Sequence, residues 1–173
     1  GEAAAGESIL RQILDGDVGS LEALRALDAL LAAQARPADR AAILARRAAR
    51  EEPAERVTLL LALAELQADT LGDAAAARAS LETALALGDD ERVLRALGRV
   101  ADDETAAALW ERLCARAPDD AEALSALAAL HERHERWREL AAVLERQLAI
   151  AGGDAAPTLI EQLALVWMRL GDG

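Results

Sequence analysis

The chain has 173 residues, a formal net charge of −12 and a pI near 4.6, with Ala and Leu dominating the 53% of residues classed as hydrophobic. That length hides roughly 70% of the surface an unfolded chain exposes, ample for a core. The acidic surface repels phosphate backbones and anionic lipid, which argues against nucleic-acid and membrane-surface roles.

No apolar run approaches the ~20 residues that span a bilayer, and the longest, Val57 to Ala64, is core-sized. Phe and Tyr are absent, and alternating β-branched or aromatic runs are missing, so the expected class is all-α. All basic residues are Arg; Lys and Asn are missing with Phe and Tyr, which fits a very G+C-rich genome. Cys114 is the single cysteine, which excludes an intramolecular disulfide and leans toward a reducing, cytoplasmic setting.

In chain order, Glu7–Leu14 reads as a helix whose partner lies upstream, broken by Asp15-Gly16-Asp17 and Gly19. Ser20 caps a helix over 21–34, and Pro37 opens one over 37–50. A helix over 55–70 stops at Gly72, and Asp73 caps the next, over 74–87, which ends at Gly88. Asp89 and Asp90 start a shorter helix to about Ala101, and Asp102 and Asp103 cap one over 104–116. Pro118-Asp119-Asp120 starts a helix over 121–134, followed by one over 135–150 that stops at Gly152-Gly153. Pro157 opens the last, which runs to Leu170 before Gly171. Carboxylates at these N-termini suit the helix dipole and absorb much of the acidic excess.

One apolar signature recurs five times: Leu24/Leu27/Asp28, Leu60/Leu63/Ala64, Leu94/Leu97/Gly98, Leu124/Leu127/Ala128 and Ile160/Leu163/Ala164. The steps of 36, 34, 30 and 36 residues average 34, the period of stacked helical hairpins that bury each face against their neighbours. The small residue after the second Leu lets a partner helix approach. Asp28 breaks that rule, and the 30-residue step removes about one turn from the third unit.

These residues resemble the tetratricopeptide repeat (TPR), whose pattern is W-x2-L-G-x2-Y, then A-x3-F, then P. The clearest match runs from Ala121, with Leu124, Leu127, Ala128 and His131 in a first helix and Trp137, Leu140 and Leu144 in a second. Ala77, Leu81 and Ala84, then Ala106, Trp110 and Leu113, repeat the second-helix set. The resemblance implies a single right-handed α-solenoid of about ten helices, with units near 21–53, 57–90, 91–120 and 121–154 and a partial unit at 157–173. It implies a piece of a longer bacterial TPR-containing protein, and core positions for Trp110, Trp137 and Trp167. HEAT-like repeats, with periods of ~40 to 47 residues, are the alternative fold.

The resemblance also implies a concave groove lined by residues two before, one after and five after the first Leu anchor. In the third unit those are Arg92, Arg95 and Arg99, whose spacing shares one helix face. Arg25, Arg133 and Arg169 extend a basic strip suited to carboxylates. The competing reading is a solvated face neutralised by Asp90, Glu91 and Glu122. The Lys/Asn carboxylate clamp of the chaperone-binding subset has no counterpart here.

His131 and His134 share a helix face, but with no third ligand they read as packing and surface residues. Cys114 reads as a small buried hydrophobe. No catalytic motif, metal set or cofactor loop stands out. The last helix is apolar over most of its circumference, which predicts self-association or a continued array. The expected function is a non-enzymatic scaffold binding a protein or peptide, with acidic groups suited to the basic strip, and a structural spacer or a regulatory module of a larger enzyme are the alternatives.

Overall fold

A computed structural model describes residues 2–18, 20–152 and 155–171; Gly19, Gly153 and Asp154, invoked above as a breaker, a stop and a unit end, lie outside them. All regular structure among the described residues is helical, in ten α-helices and one π-helical segment. The α-helices are α1 (Glu2–Gly16), α2 (Leu21–Ala33), α3 (Pro37–Ala48), α4 (Pro53–Glu65), α5 (Ala74–Leu85), α6 (Glu91–Val100), α7 (Asp103–Arg116), α8 (Ala121–Arg133), α9 (Trp137–Ile150) and α10 (Ala156–Gly171).

The expected caps form. Ser20, Asp73, Asp102 and Asp120 each accept a hydrogen bond from the backbone N–H three residues on. Pro37 and Pro53 occupy first helical turns, where a missing N–H costs nothing. Two expectations need correction. The helix expected over 55–70 starts earlier, at Pro53, and its last turn, Leu66–Thr70, is π-helical, with the Leu71 N–H donating to the Leu66 carbonyl at 3.1 Å. The first helix is also longer than 7–14.

The chain divides into two compact units between Ala96 and Leu97, inside α6. In the first, each helix from α1 to α5 packs on the next. Leu14, Leu24, Leu27, Leu31 and Ile43 form one cluster, and Leu44, Leu60, Leu63, Ala84 and Val93 belong to another. Each fully buried Leu contributes about 1.5–3 kcal/mol of apolar transfer. In the second unit α8 packs on α7 and α9, and α10 on α9. Leu140, Leu144 and Val166 centre a cluster there, with Trp137 and Leu163 against it.

The position after the second Leu shows why small residues belong there. A Cβ on Gly98 would lie 2.7 Å from the Trp110 indole of α7. The ring occupies the space a side chain would need. Asp28, the exception, is buried and held by ion pairs to Arg40 and Arg47 of α3.

Candidate functional site

Arg25, Arg92, Arg99 and Arg133 engage carboxylates of their own chain. Arg25 forks onto Glu51, Nε to Oε1 at 3.0 Å and Nη2 to Oε2 at 2.9 Å, and Glu51 is buried. Arg92 grips Asp90 at 2.7 Å and 3.1 Å, holding that carboxyl below the usual carboxylate range. Arg99 meets Glu122 of α8 at 2.5 Å and 3.0 Å. Arg133 and His134 share Asp103 at 2.6 Å and 2.8 Å, which lowers its pKa, His134 contributing most. Asp90 and Glu122 do here what the solvated-face reading assigns them. Arg95 is half-buried on the same helix as Arg92.

Arg169 is different. Its guanidinium lies 4.4 Å from the centre of the Trp137 ring, over its face, a geometry that stabilises a cation by about 0.5–1 kcal/mol at an open site. Both side chains line a cavity of about 400 Å³ in the second unit, within the size range of small-ligand pockets. Leu140, Leu144 and Val166, all buried, supply apolar wall. Ser125, Gln147, Gln162 and Glu132 supply polar groups, and the Gln147 amide donates to the Ser125 hydroxyl at 3.1 Å. An apolar wall with a few polar groups and one aromatic-stacked cation suits a short peptide segment or an apolar side chain with a polar neighbour.

Sequence reasoning found Arg169 and missed most of this cavity. The groove rule, applied to α8 and α10, reaches Glu122, Ser125, Ala129, Thr158, Glu161 and Leu165, and of these Ser125, Ala129 and Leu165 line it. The three that line it carry no charge, so a reading built on cations passes over them. The signal that could have found them is the set of uncharged groove positions on the two helices flanking the one that bears Trp137.

Burial tests the remaining expectations. Trp110 is buried as expected and Trp137 half-buried, whereas Trp167 is 53% exposed and the anchor Ile160 54% exposed, because no helix among the described residues covers that side of α10. Cys114 is buried, and burial raises its thiol pKa, the opposite of an activated nucleophile. His131 is buried, its Nδ1 has no hydrogen-bond partner, and burial lowers its pKa. Among the described residues no group of three or more His, Cys, Asp or Glu could hold a metal ion, and no helix is long and apolar enough to cross a membrane.

No family model matches the chain, and no curated protein matches it. Among solved structures it resembles the crystal structure of BtubC (BKLC) from P. vanneervenii, with a TM-score of 0.59 and 18% identity, covering 99% of this chain and 82% of that one. At that identity the likeness concerns the fold alone, and it agrees with an all-helical architecture.

Proposed function

We propose that this chain is a non-enzymatic binding scaffold, a right-handed solenoid of TPR-like hairpins that takes a segment of a partner protein in the cavity among α8, α9 and α10. The solenoid reading draws support from the 34-residue mean period and from helices that fall where that period puts them. The observation that carries the binding reading is the cavity itself. Its apolar walls and its Trp137-stacked guanidinium lie beside Ser125, Ala129 and Leu165, which stand at positions the repeat assigns to a ligand-facing surface.

Selection from a displayed random peptide library on the immobilised chain tests this. Enriched peptides should quench or shift the fluorescence of Trp137 and lose at least tenfold in affinity when the exposed lining residues are replaced, Ala129→Arg with Leu165→Arg. No enrichment, or equal retention by the double variant, would overturn the reading.

A further inference from the structure

We propose that the first unit holds a second binding site, a groove among α3, α4 and α5 that takes an aliphatic monocarboxylate, its carboxylate on Arg56 and its alkyl chain over Leu60 and Leu63. The inference does not rest on the cavity among α8, α9 and α10. The groove encloses about 360 Å³, within the size range of small-ligand pockets. Neither the first nor the last helix lines it, so the ends of the chain do not open it. Exposed Ala45 and Ala49 of α3 and Ala79 of α5 keep its rim low, and buried Ala48, Leu60 and Leu63 make its inner surface.

Arg56 is the residue the repeat does not explain. Four positions before the first Leu anchor, three other units place Ser20, Asp90 and Asp120, each just ahead of its helix. Helix α4 begins earlier, at Pro53, so the same position falls inside the helix and brings a guanidinium to the groove. Its Nη2 donates to the Glu51 carbonyl at 3.1 Å, and its Nε is buried with no hydrogen-bond partner. Arg56 makes no ion pair among the described residues, in a chain whose acids outnumber its arginines 31 to 19. Glu51 and Glu55 lie with Arg47 instead, and Glu52, one turn before, does not pair with it. A half-buried guanidinium short of acceptors is matched by a carboxylate, which supplies two in one plane.

The hydroxyls limit the ligand to one charge. Thr83 donates to the Ala79 carbonyl at 2.9 Å and Ser80 to Gln67 Oε1 at 2.8 Å, so both line the groove with their protons already engaged. A phosphate or a dicarboxylate would find one cation for two charges. A monocarboxylate with an alkyl body finds a match for each part. Arg56, Leu60 and Leu63 stand at i, i+4 and i+7 on one face of α4, a line of about 10 Å at 1.5 Å per residue. An extended chain of about eight carbons, with zigzag C–C bonds of about 1.5 Å, has that reach.

Titration of isotope-labelled protein with butanoate, hexanoate, octanoate and decanoate, followed by heteronuclear NMR below their micelle concentrations, tests the inference. The net charge of −12 opposes anions at long range, so the salt is held at about 0.15 M, which screens beyond about 8 Å. Amide shifts should centre on Ala48, Ala79 and Thr83. Affinity should rise about fourfold for each pair of methylenes, as two half-buried groups contribute, and level off beyond octanoate. Octanamide, uncharged at the same length, should bind about tenfold more weakly. Arg56→Gln, with unchanged helical circular dichroism, should bind octanoate no better than octanamide. Ala45→Leu with Ala79→Leu, both at exposed positions, should lose both ligands by filling the groove. Equal affinity of the wild type for octanoate and octanamide overturns the proposal without any variant. So do an absence of shifts, an affinity that ignores chain length, and shifts confined to α8–α10, which would assign the acid to the other cavity. An amidated apolar hexapeptide that moves the same amides at lower concentration than octanoate overturns it too, and gives the groove to a protein segment.

Discussion

The helix pairs α2–α3 and α8–α9 share one backbone plan and fill it in opposite ways. Leu24, Leu27 and Leu44 recur one hundred residues later as Leu124, Leu127 and Leu144, and Ser20 and Asp120 cap the first helices identically. In the first pair Asp28 faces Arg40 and Arg47, and Glu51 and Arg25 continue the ionic cluster. In the second, Ala128, Leu140 and Gln147 stand at those positions, and all three line the open cavity. The comparison teaches that the residue after the second Leu decides more than helix approach. An acid there recruits cations from the neighbouring helix and plugs the space with the chain's own side chains. An alanine leaves it for something else.

The largest expected effect comes from breaking the plug. Asp28→Ala should cost about 3 kcal/mol, the lower end for an orphaned buried charge, since Arg40 keeps part of its surface in water. Adding Arg40→Leu and Arg47→Gln, which copies the second pair, should return stability to within about 1 kcal/mol of wild type, because apolar packing often replaces a buried ion pair at no loss. Urea denaturation followed by far-UV circular dichroism reads both. If Asp28→Ala alone were neutral, the cluster would be solvated and the comparison would lose its meaning.

Gly98 is a third occupant of the same position. A methyl group there meets the Trp110 ring, and overpacking of that kind costs about 1–3 kcal/mol. The gain in helix propensity returns up to about 1 kcal/mol, so Gly98→Ala should destabilise by up to about 2 kcal/mol net. All three tryptophans lie in the second unit, so their fluorescence should report this loss while leaving the first unit silent.

Position 31 of the first pair is a fully buried Leu, and its counterpart 131 is a buried His. Burial holds the His131 imidazole below its ordinary value of 6.5. As pH falls from about 6.5 the unfolded chain therefore binds a proton that the folded chain refuses, so stability is lost in that direction and recovered above it. Asp90 and Asp103, held below their ordinary 3.8, add a separate loss at more acid pH. His131→Leu should abolish the first loss, keep the second, and add about 1 kcal/mol at neutral pH by removing an unpaired buried nitrogen. Fluorescence-detected unfolding at a series of pH values checks this.

Helix order, caps and the Leu ladder were legible in the sequence because each rests on local chemistry: a cap acts on a backbone N–H three residues away, and an anchor repeats with the helical period. The cavity was legible only in its positions. Its chemistry depends on what is missing at 128, 140 and 147, and absence of charge leaves no motif to find. The pairing of Arg92, Arg99 and Arg133 with carboxylates was half legible. Asp90 and Glu122 could be named as neighbours, whereas Asp103 meets Arg133 only because α7 and α8 pack together. The π-helical end of α4 had no signal beyond Gly72, whose φ of +67° terminates it.

What the two pairs share should respond alike, and the turn between their helices is the control. Ala35 and Glu135 adopt φ of 52° and 54°, a left-handed conformation that costs an L-residue about 1–2 kcal/mol. In both turns the following N–H, of Arg36 or Arg136, closes onto a carbonyl five residues back, Leu31 or His131, and the left-handed residue's own N–H bonds three residues back. The turn is therefore fixed by backbone hydrogen bonds and needs glycine's freedom without having it. Ala35→Gly and Glu135→Gly should each stabilise by about 0.5–1 kcal/mol, the relieved strain less the extra entropy glycine brings to the unfolded chain. Equal gains at the two sites, measured by urea denaturation, would show that the pairs differ only in how they fill the space between their helices. A gain at one site alone would mean that the side-chain plug in the first pair also bears on its turn.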